Sequence, residues 1–141
     1  MAVADKSDLS WRCLVESSLR FQVPLSLIFM ILDTEQGRVG KSAENKNGTS
    51  DYGPMQINSI WLPKLSALGI SEELLKDNGC VNAAVGTWLL RYHLRETGDP
   101  LMAVSRYHSR NQKRQTKYLR SALKRAESMN IDKIIRRANG K

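Results

Sequence analysis

Ile31-Leu32-Asp33-Thr34-Glu35-Gln36-Gly37 closes an apolar run that begins at Leu25, and it leaves a glutamate where that run stops. Leu25, Ile28, Ile31 and Leu32 recur at helical spacing, and Pro24 suits the first turn of a helix, where its missing N–H has no intrahelical partner. Gly37 is the expected stop. From Gly37 to Gly53 the periodicity disappears, and Gly40, Asn45, Asn47, Gly48, Ser50 and Asp51 supply turn chemistry, with Asn47-Gly48 able to turn a small hairpin. This reading places Glu35 at the end of one helix and Asp51 in the irregular segment after it, so that two carboxylates face one cleft.

Working outward, Ser7 or Asp8 is the expected cap of a first helix. Leu9, Trp11, Leu14, Val15, Ser18 and Leu19 fall close to one stripe, and the helix ends near Phe21. Downstream, Met55, Ile57, Ile60, Trp61, Leu65 and Leu68 return to helical patterning, divided into two short pieces by Pro63. Met55 and Ile57 are expected in the core. Residues 71–75 read as a short turn capped by acidic residues, and Asp77 or Asn78 caps a long helix carrying Cys80, Val81, Val85, Trp88, Leu89 and Tyr92, which Gly98 ends. Asp99-Pro100 opens a helix through Leu101, Val104 and Tyr107, and one or two basic helices follow. The expected fold class is mainly α (α+β), with a small irregular β-hairpin region near residues 38–53.

The chain has 141 residues, 41% of them hydrophobic, which suits a single domain spanning 1–141. Its formal charge of +8 is uneven: residues 1–109 hold 11 Lys and Arg against 12 Asp and Glu, whereas residues 110–141 hold 11 against 2. That basic end, residues 110–141, is read either as a solvated helical face or as a patch drawn to an anionic surface. It shows no helix-turn-helix, zinc-finger or base-stacking signature, so nucleic acid is not an expected partner. No apolar run approaches the roughly 20 residues needed to cross a bilayer. Residues 1–6 lack the basic start and apolar stretch of a secretory signal, which fits either a cytosolic chain or the mature part of an exported one. Cys13 and Cys80 are too far apart for a CxxC redox or zinc motif, and they are either two buried thiols or one disulfide.

Four ordered blocks carry a resemblance: residues 31–37; Asn47-Gly48-Thr49-Ser50-Asp51-Tyr52-Gly53; Met55-Gln56-Ile57-Asn58; and Tyr107-His108-Ser109. Over roughly residues 8–120 the chain resembles the specialised lytic transglycosylases, small exported enzymes of bacterial type III and type IV secretion, conjugation and pilus systems. Their fold is lysozyme-like. The resemblance implies that Glu35 is the general acid and base, that Gln56 and Asn58 face substrate, and that Tyr107 packs near the acid. It also implies a Cys13–Cys80 disulfide, a periplasmic location for the mature chain, no metal and no organic cofactor. Expected partners are peptidoglycan glycan strands and proteins of a secretion apparatus, with the chain itself a monomer.

The chemistry fits those residue types. Breaking a glycosidic bond requires a proton for the leaving oxygen, and a carboxylic acid supplies one near neutral pH where its surroundings favour the neutral form. The stretch 47–58 is similar to the active-site segment of animal-type lysozymes, where an aspartate faces the acid; Asp51 is therefore a candidate for supporting the sugar cation, with a local turn-forming role as the alternative. His108 stands where many relatives have Asn, and a lone His beside a Tyr is more often structural than a proton carrier. Two departures stand out: Arg110 replaces the glycine usual after the last block, and Gln36 replaces the Ser or Gly usual after the acid. The competing readings are lysozyme-type hydrolysis and a wall-binding scaffold module with little turnover.

Overall fold

The computed structural model describes residues 6–108 and 112–141; Ser109 and Arg110, part of the last block and its departure, lie outside the described residues. Among the described residues, eight helices and a small sheet follow in the order α1 (Trp11–Phe21), α2 (Leu25–Glu35), β1 (Ser42–Glu44), β2 (Ser50–Tyr52), β3 (Ile57–Asn58), a 3-10 turn (Ser59–Trp61), α3 (Leu62–Ala67), α4 (Glu72–Asp77), α5 (Gly79–Thr97), α6 (Pro100–His108), α7 (Gln112–Ala126) and α8 (Ile131–Ala138).

At the centre is α2. Leu27 to Asp33 are all buried, so the helix is apolar around its whole circumference rather than along one face, as expected where α1, α6, α7 and α8 all pack against it. Helix α1 differs from its sequence reading. Ser10, not Ser7 or Asp8, caps it by accepting from the Cys13 amide, because Ser7 is engaged in a bridge to Asn78. Its buried line runs through Leu14 and Ser17, while Trp11, Val15 and Leu19 remain exposed, Leu19 at 74%. The Cys13–Cys80 disulfide ties the start of α1 to the start of α5, with Cα atoms 5.6 Å apart. It closes a loop spanning 67 positions, and the chain-entropy model assigns such a loop about 4 kcal/mol.

The three strands form one antiparallel sheet ordered β1-β2-β3, with Ala43 opposite Asp51 and Asp51 opposite Asn58. The hairpin region holds Asn47-Gly48 in its β1–β2 turn, closed by the Gly48 amide donating to the Asn45 carbonyl. Ile57 is the correction here: it pairs with Tyr52 as a strand residue rather than continuing a helix. Its apolar neighbours suggest a helical period, but a two-residue alternation buries Met55 and Ile57 and turns Gln56 and Asn58 toward the other side. Asn82 on α5 fixes the sheet: its amide nitrogen donates to the Tyr52 and Leu75 carbonyls, and its amide oxygen accepts from the Met55 amide.

The basic end is folded back onto the beginning of the chain. Ile134, Ile135 and Ala138 join the core that starts at Leu9, and the Asn139 amide exchanges two hydrogen bonds with the Leu9 backbone. Arg125 and Arg137 reach the buried Asp33 at 3.7 and 3.3 Å, and both guanidinium groups also donate to carbonyls at the C-terminal end of α2. Cations there complement the helix dipole. These two arginines therefore hold the fold rather than form part of a solvated face. Among the described residues, no helix is long and apolar enough to cross a membrane.

Candidate active site

Helix α2 ends one residue before Gln36, which takes the left-handed conformation at φ 56° and turns the chain toward the sheet. Gln36, the departure noted after the acid, has a partner of its own: in the amide orientation its neighbours require, its oxygen accepts from both Arg125 guanidinium nitrogens at 2.6 and 2.8 Å. Gly37 then does something other than stop the helix. A Cβ on it would collide with the Gly53 carbonyl oxygen and the Gln56 amide, so the absence of a side chain lets the sheet close against the end of α2. This close approach brings a helix-end carboxylate and a strand carboxylate to one cleft.

That cleft has a volume of about 550 Å³, and Glu35, Asp51, Gln56, Asn58 and Tyr107 all line it. The Glu35 side chain is only 11% exposed. Its Oε2 lies 2.9 Å from His108 Nδ1, and the His108 ring stacks on Tyr118 at 4.0 Å and 12°. Burial, then the Glu35 charge, push the Tyr118 phenol far above the usual tyrosine range, so it stays neutral behind the acid.

Among the described residues, the Asp51 carboxylate is bonded by side-chain amides rather than by turn backbone. Asn58 Nδ2 donates to its Oδ1 and Asn45 Nδ2 to its Oδ2, each at 3.0 Å, and both amides also donate to the Thr49 hydroxyl. The aspartate is thus held from both sides, by a side chain of the β1–β2 turn and by one of β3. Asn58 is fully occupied, because its amide oxygen also accepts from the Ile60 amide at the 3-10 turn. Gln56 sits at φ 53°, and its amide nitrogen donates to the Gly53 carbonyl. The Tyr107 hydroxyl donates to the Met55 carbonyl at 2.7 Å. Burial, then the charges of Glu35 and Asp51, raise the Tyr107 phenol well above its ordinary range.

The structure therefore brings all five sequence-predicted side chains to one cleft, with Asn58 committed to Asp51. Sequence reasoning missed Asn45 and Thr49 as supports of Asp51, and Tyr118 and His108 as neighbours of Glu35. For the first pair a signal existed: once Asn47-Gly48 is read as the hairpin turn, the register that sets Glu44 opposite Ser50 brings Asn45 and Thr49 together at its end, within reach of Asp51. For Tyr118 none did, since it lies 83 positions beyond Glu35 on a helix whose packing the sequence leaves open. Among the described residues, no group of three His, Cys, Asp or Glu side chains is placed to hold a metal ion.

A central apolar helix ending in an acid, a short sheet carrying an aspartate, and a cleft between them define a lysozyme-like domain. The chain belongs to the family described as Transglycosylase SLT domain, whose profile matches residues 12–131. It is similar to invasion protein IagB of Salmonella typhimurium, 30% identical over 98 residues that cover 69% of this chain and 61% of the relative. It is 34% identical to protein IpgF of Shigella flexneri over 99 residues, covering 69% and 64%. A peptidoglycan-binding-like protein of Escherichia coli O157:H7 is 31% identical over 128 residues, covering 82% and 77%. The match to IagB and to IpgF thus takes in a little under two thirds of their lengths.

Proposed function

We propose that this protein is a peptidoglycan lytic transglycosylase that cleaves the β-1,4 bond between N-acetylmuramic acid and N-acetylglucosamine. The observation that carries this reading is the placement of Glu35, nearly buried at the end of α2, in one cleft with Asp51. Glu35 gives its proton to the leaving glycosidic oxygen as the bond to the muramic acid C1 breaks. The carboxylate left behind then takes the proton of the muramic acid 6-hydroxyl as that oxygen closes on C1, giving a 1,6-anhydro end. Each proton lost in the first half is regained in the second. Asp51, fixed by Asn45 and Asn58, faces the positive charge that develops on the sugar, and preorganised charge of this kind is a large contributor to glycosidase rates. Gln56 and the cleft aromatics orient the sugar. His108, bonded to Glu35 and backed by Tyr118, is a positioning residue for the acid.

The family match and the wall-related name of the E. coli relative support peptidoglycan as substrate. Substrate of that kind, together with the Cys13–Cys80 disulfide, supports a periplasmic location, because disulfides persist in oxidising compartments. The resemblance of residues 8–120 to the specialised lytic transglycosylases supports local opening of the wall for a secretion or conjugation apparatus.

Asp51 also favours a second reading, hydrolysis by water as in lysozymes, since the same pair of carboxylates serves both outcomes. Mass spectrometry of released muropeptides separates them. Anhydro ends are expected; reducing ends alone mean hydrolysis, and no release, with Glu35→Gln indistinguishable from the unchanged protein, means a wall-binding module.

A further inference from the structure

Beside the catalytic cleft lies a second cavity of about 370 Å³, lined by Tyr92, His93, Glu96, Arg106 and Gln115. His93 lines both spaces. The partition between them is aromatic: the Tyr92 ring meets His93 edge-on at 5.3 Å and Trp61, a residue of the main cleft, at 6.4 Å. Arg106 directly precedes Tyr107 and His108 on α6, so three successive side chains serve the second cavity, the cleft and the catalytic acid.

The charges in this cavity are unspent. Arg106 is half-buried and Glu96 stands exposed at the rim, and among the described residues neither has an ion-pair or hydrogen-bond partner. A guanidinium drawn partly out of water without a counter-charge is costly, and a cation and an anion lining one cavity without pairing to each other present separate anchors for a ligand that carries both signs. Aromatic walls add a flat surface for its apolar part. The adjoining cleft specifies where such a ligand comes from. On the reading of the cleft as a glycan site, every muramic acid unit bears a peptide on its lactyl group, and that stem carries free carboxylates and, where it is not cross-linked, a free amine.

We propose that the second cavity receives the peptide stem of the muramic acid held in the cleft, with Arg106 taking a stem carboxylate and Glu96 the stem ammonium. This inference rests on the proposed glycan-cleaving function, and it adds a substrate requirement: the protein distinguishes stem-bearing glycan from bare glycan.

The test compares kcat/KM on purified peptidoglycan with kcat/KM on the same glycan stripped of its stems by an amidase. The ratio of the two is expected to exceed about ten for the unchanged protein and to fall roughly tenfold in Arg106→Gln, the loss of one charge-assisted contact. Glu96→Gln is expected to lower the ratio only for stems whose amine is free, and to lose that effect on N-acetylated stems. A ratio near one for the unchanged protein, or one that neither variant alters, overturns the proposal. Titration with free stem tripeptide, followed by NMR shifts, keeps the question separate from turnover. Saturable shifts at Tyr92 that vanish in Arg106→Gln sustain the second cavity even where no glycan is cut, whereas their absence sinks it even where glycan cleavage proceeds.

Discussion

Two carboxylates two positions apart on α2 meet opposite fates. Asp33 faces the returning C-terminal helices, where Arg125 and Arg137 neutralise it and cap the last carbonyls of the helix. Glu35 faces the cleft, where no described guanidinium or ammonium reaches it and its hydrogen-bond partner is a histidine ring. Helix α7 backs both sides, with Arg125 behind Asp33 and Tyr118 behind Glu35. The same residue class is thus spent on closing the fold in one direction and, in the proposed function, serves proton transfer in the other, and the chemistry of the neighbours decides which.

If that division holds, the largest effect belongs to Glu35→Gln. Removing the proton donor is expected to lower kcat on peptidoglycan by roughly a thousandfold, while the amide keeps the size of the side chain and leaves the melting temperature within a degree or two. A matched loss of thermal stability would mean that Glu35 shares the structural duty of Asp33, and the contrast would collapse.

Asp33→Ala should do the reverse. The pair is partly buried, with Asp33 at 12% exposure and the two arginines at 23% and 43%, so the cost is set below that of a fully buried pair at about 2 kcal/mol, a fall in melting temperature of roughly 8 °C. Turnover per folded molecule, measured well below the melting point, should stay near that of the unchanged protein. Next in size is His108→Ala, which takes the imidazole away from Glu35; a fall of about tenfold in kcat with little change in KM is expected, and partial recovery in His108→Asn, which restores a donor. A change in KM alone would reassign His108 from the acid to the sugar.

How much of this was legible beforehand follows from which forces are local. The helix ending at Glu35, the turn at Asn47-Gly48, the caps at Asn78 and Gly98 and the proline-opened α6 are dictated by neighbours in sequence, and each stands where it was read. The strand at Ile57–Asn58 was missed because four apolar residues in ten fit either period until a partner strand is known. Leu19 was misplaced for a related reason: an apolar residue on a stripe is buried only if another element covers it, and among the described residues none does. The roles of Arg125 and Arg137 were hidden among the 11 cations of residues 110–141, since only the fold-back of α8 onto the end of α2 singles them out. Likewise the five cleft residues were found through motif order, but the amides that hold Asp51 and the ring that backs His108 depend on register and on long-range packing.

The smallest effect tests how Tyr118 backs the acid. Its phenol is raised from the model-compound value of 10.0 by burial first and by the Glu35 charge second, so the folded state keeps the proton at a pH where the unfolded chain has released it. Stability from this group is therefore complete below pH 10 and declines as pH rises above it, by about 1.4 kcal/mol at pH 11. Tyr118→Phe cannot ionise in either state. Its unfolding free energy should match that of the unchanged protein at pH 7 to 9 within about 1 kcal/mol and should fall less steeply between pH 9 and 11. Urea titrations at these pH values measure both slopes. Parallel decline in the two proteins would show that the ring behind His108 is open to water and ionises freely, and the Glu35 side of α2 would then lack the buried support that the Asp33 side has in its arginines.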